Sequence, residues 1–168
     1  MNKNKVYLLL GSNLGNRIFF LNRAIERLTE SAGDLITKSS VYETQSWGYD
    51  DQPYYNQVVE IATELQPLTL LNLIHIIETD LGRKRTSNFY QARTIDIDIL
   101  FYDVEVINTT DLIVPHRFLH LRKFVLIPLS EIAGNLVHPI FNKTINQLLE
   151  DCEDNLEVTK IGFSASEN

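Results

Sequence analysis

Asp96 and Asp98 stand two residues apart in the run Arg93-Thr94-Ile95-Asp96-Ile97-Asp98-Ile99-Leu100-Phe101-Tyr102. Ile95, Ile97, Ile99 and Phe101 alternate with them. Alternation at period two, with β-branched residues, predicts a half-buried strand with those four on one side. Side chains two apart on a strand point the same way, with Cα atoms roughly 6.5 Å apart. Two carboxylates so placed can share a pair of Mg²⁺ ions, since hard cations prefer oxygen ligands. The pattern equally describes an exposed sheet face with two solvated aspartates. Aspartate is depleted in strands, so a pair of them here calls for a reason.

The loop before this strand carries four cations, Arg83, Lys84, Arg85 and Arg93. A charge run is usually a solvated face. Beside paired carboxylates it also has what a polyphosphate needs, with Mg²⁺ bridging phosphoryl oxygens and arginine forks on the outer ones. Val114-Pro115-His116-Arg117 and Arg122 form the next polar cluster. Glu78, near the end of a predicted helix where the dipole disfavours a carboxylate, faces the basic loop. A second constellation is aromatic: Trp47 and Tyr49 in a loop over 45–52, then Pro53, Tyr54, Tyr55 and Asn56. Either these rings pack against the edge of the core, or a flat ring stacks there and the Asn56 amide reads its polar edge.

The elements that must position these groups follow from pattern. Residues 6–10 are an apolar run, a buried strand. Gly11-Ser12-Asn13-Leu14-Gly15-Asn16 is turn-rich; it lacks the Lys-Ser/Thr ending of a P-loop and reads as a tight strand-to-helix connection. Ile18, Leu21, Ile25 and Leu28 give a helix that Gly33 can stop. Strands are expected over 35–44 and 55–65. Pro67, then Leu70, Ile74, Ile77 and Leu81, give a second helix ended by Gly82. His75, beside that stripe, reads as a packed or surface residue. After the aspartate strand come a turn and short strand (103–107), an apolar run (124–129), a short helix (145–149) and a closing strand (156–161). The tail 164–168 is expected to fray. This order predicts an α+β fold, a ferredoxin-like βαββαβ sandwich: an antiparallel sheet with both crossover helices on one face and extra C-terminal elements on the other. Residues 1–163 make one domain.

Composition bounds the function. The chain has 168 residues and a formal net charge of −7, which argues against a nucleic-acid or anionic-membrane protein as a whole. Positive charge is concentrated, because seven of the fifteen basic residues fall between Arg83 and Lys123. Cys152 is the only cysteine; no intrachain disulfide is possible, as befits a reducing cytoplasm. Met1-Asn2-Lys3-Asn4-Lys5 leads into only five apolar residues, too few for a signal-peptide core or a membrane span.

Taken together, Gly11-Ser12-Asn13-Leu14-Gly15, Tyr42-Glu43-Thr44, Gln52-Pro53, Asn56, Glu78, Gly82-Arg83, Arg93 to Asp98, Val114-Pro115-His116, Arg122 and Phe124 resemble the 6-hydroxymethyl-7,8-dihydropterin pyrophosphokinases of the folate pathway. The pieces span nearly the whole chain in order. The resemblance implies transfer of the diphosphate of ATP to the pterin hydroxymethyl oxygen, with release of AMP, by a cytoplasmic monomer. It implies two Mg²⁺ ions on Asp96 and Asp98, and catalytic roles for Arg85, Arg93, Asp96 and Asp98. It places Glu78, Arg83, Arg85, Arg93, Ile99, His116 and Arg122 around ATP. The pterin would lie between Tyr54 and Phe124 and be read by Asn56 and by Thr44, Gln45, Ser46 and Trp47. The loop 83–92 would close as a lid that brings Arg85 in.

Three positions depart from the family pattern. The 53–56 segment is one residue short, so that Tyr54 or Tyr55 can take the stacking position. Tyr90 stands where some members have Trp. Arg117-Phe118 replaces the usual Pro-Arg, which leaves Arg117 without an inherited role. Two rival readings are a catalytically silent nucleotide-binding protein on the same fold and an RNA-binding ferredoxin-like module.

Overall fold

The computed structural model describes residues 2–45, 52–84 and 92–162. The elements run β1 (Asn4–Ser12), α1 (Arg17–Ser31), β2 (Gly33–Lys38), β3 (Tyr42–Thr44), β4 (Tyr54–Thr63), α2 (Pro67–Asp80) and β5 (Asp96–Tyr102). A short hairpin, β6 (Ile107–Asn108) and β7 (Ile113–Val114), is followed by a 3-10 turn (Leu119–Leu121), α3 (Lys123–Ala133), α4 (Ile145–Asp151) and β8 (Val158–Lys160). The main sheet is antiparallel in the order β5-β1-β4-β3-β8, with β2 pairing β4 beside β3.

Alternation along β1 supplies both faces. Val6, Leu8 and Leu10 join Leu21, Ala24, Ile25 and Leu28 of α1 and Leu70, Ile74 and Ile77 of α2 in one buried cluster. Tyr7 and Leu9 point the other way, into a second cluster with Val125, Leu126 and Leu129 of α3 and Ile145 and Leu148 of α4. Each expected helical stripe therefore faces the core. The Asn16 side chain caps α1, accepting the Phe19 N–H at 3.0 Å. Pro67 opens α2 and Gly82, at φ +92°, turns the chain out of it, both as expected.

Four expectations are corrected. The strand over 35–44 is two strands, β2 and β3. Between them Ser39 engages Val58, with its N–H on the Val58 carbonyl and its Oγ accepting the Val58 N–H, and the chain shifts along β4. Gly33 does not stop α1; that helix ends at Ser31 with Ala32 as its cap. Gly33 opens β2, and a Cβ there would meet the Ala62 carbonyl oxygen at 2.1 Å. Phe101 does not share the isoleucine face. A register shift opposite Tyr7 and Leu8 puts a bulge in β5, so Leu100 and Phe101 both enter the α3 cluster while Tyr102 returns to the other side. The apolar run 124–129 is part of α3, which continues through Pro128 to Ala133; packing of Val125, Leu126 and Leu129 outweighs the missing N–H of the proline.

Glu131 fastens α3 to the β2–β3 break. It accepts hydrogen bonds from the Ser40 hydroxyl at 2.7 Å and the Tyr42 hydroxyl at 2.6 Å. Burial alone would raise its carboxyl, but the Tyr42 and Ser40 hydrogen bonds and nearby Lys160 hold it below the ordinary value of 4.5. Burial and the same contact push the Tyr42 hydroxyl up to about 12.

Two stability outcomes follow. Gly33→Ala costs about 3 kcal/mol in urea unfolding, because backbone must move; Gly162→Ala, with nothing within 4 Å of the new Cβ, changes it by less than about 0.5 kcal/mol. Glu131→Ala costs about 1 kcal/mol at neutral pH. A carboxyl lowered by folding contributes fully above its unfolded value and loses that contribution as the pH falls through the folded one. The gap between Glu131→Ala and the parent, followed by unfolding at stepped pH, therefore narrows below the ordinary value of 4.5.

Candidate active site

The bulge leaves Asp96 and Asp98 on the same face of β5, the face shared with Leu9, Gly11 and α3. Register fixes their neighbours: Asp96 pairs with Gly11, and Gly11 pairs on its other side with Asn56. Adjacent strands lie roughly 4.8 Å apart, so the Asp96 and Asn56 Cα atoms stand roughly 10 Å apart across Gly11. Gly11 keeps that row open. A Cβ there would come within 2.8 Å of Asn56 Oδ1 and 3.6 Å of the Tyr54 ring.

The end of α2 delivers the first arginine. Gly82 N–H bonds to the Thr79 carbonyl at 3.0 Å and Arg83 N–H to the Glu78 carbonyl at 3.0 Å, a Schellman closure that needs the left-handed glycine. The turn brings Arg83 back over its own helix, where Nη1 donates to the Glu78 carboxylate and to Asp96 Oδ1, the latter at 2.8 Å. Glu78 is 1% exposed. Its Oε2 also accepts the Ile97 N–H at 3.0 Å, so a carboxylate disfavoured by the helix dipole is held by a cation and a β5 amide. Arg93 lies on the other side of Asp96, Nη1 to Oδ2 at 3.1 Å. Asp98 bears the remaining charge pressure. Burial, then the charges of Asp96 and Glu78, push its carboxyl up to about 8, against the opposing pull of Arg93 and Arg83.

His116 approaches from beyond the β6–β7 hairpin, after the cis Val114–Pro115 peptide. Its N–H donates to the Leu100 carbonyl at 2.9 Å, at the β5 bulge. Its Nδ1 accepts the Phe118 N–H at 3.3 Å, which assigns the ring proton to Nε2. Burial, then nearby Arg122, lower its pKa, opposed by Asp96; the ring is neutral at pH 7.

These groups share a cavity of about 390 Å³ whose lining includes Glu78, Arg83, Arg93, Asp96, Asp98, Ile99 and His116. Arg117 and Phe118 line it too, as do Leu71, His75 and residues 110–113. Leu71, His75 and Glu78 follow one another at four and three residues along α2, a spacing that sequence could have flagged. Arg117 contributes to the wall although Pro-Arg is absent. The 110–113 wall carries no motif, since it belongs to a hairpin of two-residue strands.

The aromatic half of the site lies along the same face. Asn56 is 3% exposed, and its Nδ2 donates to Thr44 Oγ1 at 3.1 Å. Tyr54, two residues before Asn56 on β4, shares its face; Tyr55 packs on the opposite one, against the α1–α2 cluster. There the Arg17 guanidinium covers the Tyr55 ring at 3.7 Å. Gln45 is exposed at the end of β3. Phe124 is half-buried in the first turn of α3, and the Arg122 guanidinium lies 5.6 Å from its ring and 5.2 Å from that of Phe118. Arg85, Ser46 and Trp47, and with them most of the expected lid and Tyr90, lie outside the described residues.

Comparison with known proteins matches residues 7–134 to the model of the 7,8-dihydro-6-hydroxymethylpterin-pyrophosphokinase family. The chain is 44% identical over 143 residues to the 2-amino-4-hydroxy-6-hydroxymethyldihydropteridine pyrophosphokinase of Aquifex aeolicus, covering 84% of this chain and 88% of that one. To the Bacillus subtilis protein of the same name it is 47% identical over 132 residues, covering 77% and 78%. It is also 41% identical over 150 residues to the Pneumocystis carinii folic acid synthesis protein fol1, covering 89% of this chain but only 20% of that longer protein. Among solved structures, the Plasmodium falciparum HPPK-DHPS with pteroate superposes at a TM-score of 0.72 and 18% identity, over 90% of this chain and 43% of that one. That likeness speaks for the fold, and the first two relatives match over most of their own length. The chain belongs to the 7,8-dihydro-6-hydroxymethylpterin-pyrophosphokinase family.

Proposed function

We propose that this chain transfers the β,γ-diphosphate of ATP to the hydroxymethyl oxygen of 6-hydroxymethyl-7,8-dihydropterin. The products are AMP and the dihydropterin diphosphate, on the route to tetrahydrofolate. The observation that carries the reading is the row Asn56–Gly11–Asp96. It sets a buried amide that can read a heterocycle two strands from a carboxylate clasped by two arginines.

In this reading Asp96 and Asp98 hold two Mg²⁺ ions. The donor set fits: hard carboxylate oxygens, crowded enough that Asp98 resists ionising alone, with phosphate oxygens and water left to complete the coordination. Bound Mg²⁺ would screen the triphosphate and polarise the phosphorus under attack. Arg83, Arg93 and Arg122 neutralise phosphate charge, and neutral His116 donates from Nε2. Glu78 holds Arg83 in place and, with Ile99, walls the nucleotide cavity. Arg85, which lies outside the described residues, keeps the phosphate role that the family resemblance gives it. Tyr54 and Phe124 stack on the pterin, Gly11 leaves the floor flat, and Asn56 with Thr44, Gln45, Ser46 and Trp47 reads the ring edge. Tyr54 is favoured over Tyr55 because Tyr55 sits on the far face under Arg17.

The chemistry then needs alignment rather than a protein nucleophile. The hydroxymethyl oxygen attacks the β-phosphorus, the bond from that phosphorus to the α-phosphate oxygen breaks, AMP leaves, and the hydroxyl proton passes to solvent. We also read the architecture as a ferredoxin-like sandwich, because β1, β2, β4 and β5 with α1 and α2 follow the βαββαβ order. Residues 1–163 form one domain, working as a monomer in the cytoplasm; the tail expected to fray, 164–168, lies outside the described residues. Among the described residues no helix is long and apolar enough to cross a membrane.

The deciding assay is AMP release from ATP, Mg²⁺ and the hydroxymethyldihydropterin; its absence overturns the reading. Asp96→Ala and Asp98→Ala each lower kcat by about a thousandfold, several kcal/mol of transition-state stabilisation, with thermal unfolding still cooperative. Near-parental rates in either variant would refute the metal assignment. Phe124→Ala weakens pterin binding by about 1 kcal/mol beyond the lost contact area and spares ATP affinity. Titration calorimetry with each ligand separates the two, and a loss confined to ATP means the pterin pocket is misassigned.

A further inference from the structure

The proposed chemistry uses Gly11, near the end of β1, but leaves Asn13, just after that strand, without a task. Asn13 is 3% exposed. A buried asparagine in such a turn ordinarily bonds its own neighbouring backbone. This one reaches across the fold. Its Oδ1 accepts the Arg93 N–H at 2.7 Å, and its own N–H donates to the Arg93 carbonyl at 3.0 Å. Both backbone polar groups of Arg93 are thus held by a single residue 80 positions away in sequence. Arg93 lies three residues before Asp96, and its guanidinium sits against Asp96 Oδ2 at 3.1 Å.

The anchor is rigid at its other end. Asn13 follows directly on β1, the strand that pairs on both sides and fills both core clusters. Arg93 lies between that anchor and the first strand residue, Asp96, where the chain enters the sheet. A long side chain placed by a mobile backbone samples many positions, and a displacement of roughly 1 Å in a charge-neutralising group can cost about a hundredfold in rate.

We propose that Asn13 is a positioning residue for Arg93: through the paired bonds to the Arg93 backbone it fixes where that guanidinium meets Asp96 and the transferring phosphate. The proposal rests on the diphosphotransfer reading for its kinetic part. Its structural part stands alone, because the clamp protects the Arg93 amide whatever the site binds.

The test is a double-mutant cycle with a hydrogen-exchange arm. Asn13→Ala lowers kcat for AMP formation about 10–100-fold and leaves the pterin KM within about twofold, since Asn56, Tyr54 and Phe124 lie elsewhere. Asn13→Asp, which keeps an acceptor for the Arg93 N–H, recovers most of the rate. In an Arg93→Ala background, Asn13→Ala has no further effect, because the group it positions is gone. Equal losses in both backgrounds, or an unchanged kcat, overturn the proposal. Where Asn13→Ala does not fold, Asn13→Gln, whose acceptor is displaced by one methylene, carries the same cycle. In the exchange arm, Asn13→Ala speeds Arg93 amide exchange at least about tenfold; retained protection overturns the clamp. A parent chain that makes no AMP overturns the assigned activity instead, and the exchange arm still decides the clamp.

Discussion

Three carboxylates and two guanidiniums meet at the start of β5, and the balance among them sets the character of the site. Glu78 is held in the interior by a guanidinium and a β5 amide. Burying such a pair is costly unless every remaining valence is met. Arg83 is shared between Glu78 and Asp96, and Arg93 takes the other oxygen of Asp96. Two cations then face three acids, and the surplus falls on Asp98, the member pushed towards its protonated form. A site short of positive charge, built from oxygen donors and open to a cavity, suits a ligand that brings cations with it. The metal-bound triphosphate proposed above is such a ligand.

The strand that makes this possible is β1, although it carries no charged member of the site. Its even-numbered apolar residues hold α1 and α2, and its odd-numbered ones face α3 and α4. At its C-terminal end the odd series reaches Gly11, and the missing side chain turns a buttress into a gap. Asn56 and Asp96 flank that gap. The next odd position, Asn13, is tied to Arg93. One central strand therefore sets the spacing between Asn56 and Asp96 across the site.

Much of this was legible in the sequence where a residue's neighbours are set by periodicity. The alternation from Ile95 to Ile99 placed both aspartates on one face. The stripes Leu21-Ile25-Leu28 and Leu70-Ile74-Ile77 placed α1 and α2 on the core, and Gly82 marked the turn that aims Arg83. What escaped was decided by partners distant in sequence. The bulge that moves Phe101 across β5 answers to β1. The break between β2 and β3 answers to Val58 and to Glu131. Gly33 looks like a helix stop until the Ala62 carbonyl is seen against its α-carbon. Local signals at Pro128 argue for a stop, and burial of α3 on the sheet overrides them. In the site, the arginines and acids were visible as types. His75 and Asn13 were visible only as a helical spacing and a motif position; their contacts were not, because a half-buried histidine and a turn asparagine are commonplace until their surroundings are known.

Among the described residues β5 is also an edge strand of the sheet, and edges with free backbone groups invite pairing with other chains. Proteins guard such edges with bulges, with charges pointing into the face and with covering loops. All three devices are present here: the bulge beside Leu100, the aspartates at 96 and 98, and the segment after β7 whose His116 N–H takes the Leu100 carbonyl. The same three features build the cavity. The bulge presents the carbonyl that seats His116, the aspartates supply its acids, and the covering segment supplies its far wall. An edge that must be kept from pairing with another strand is a natural place for a ligand site, because the acids and the covering segment that block a neighbouring chain also wall a cavity.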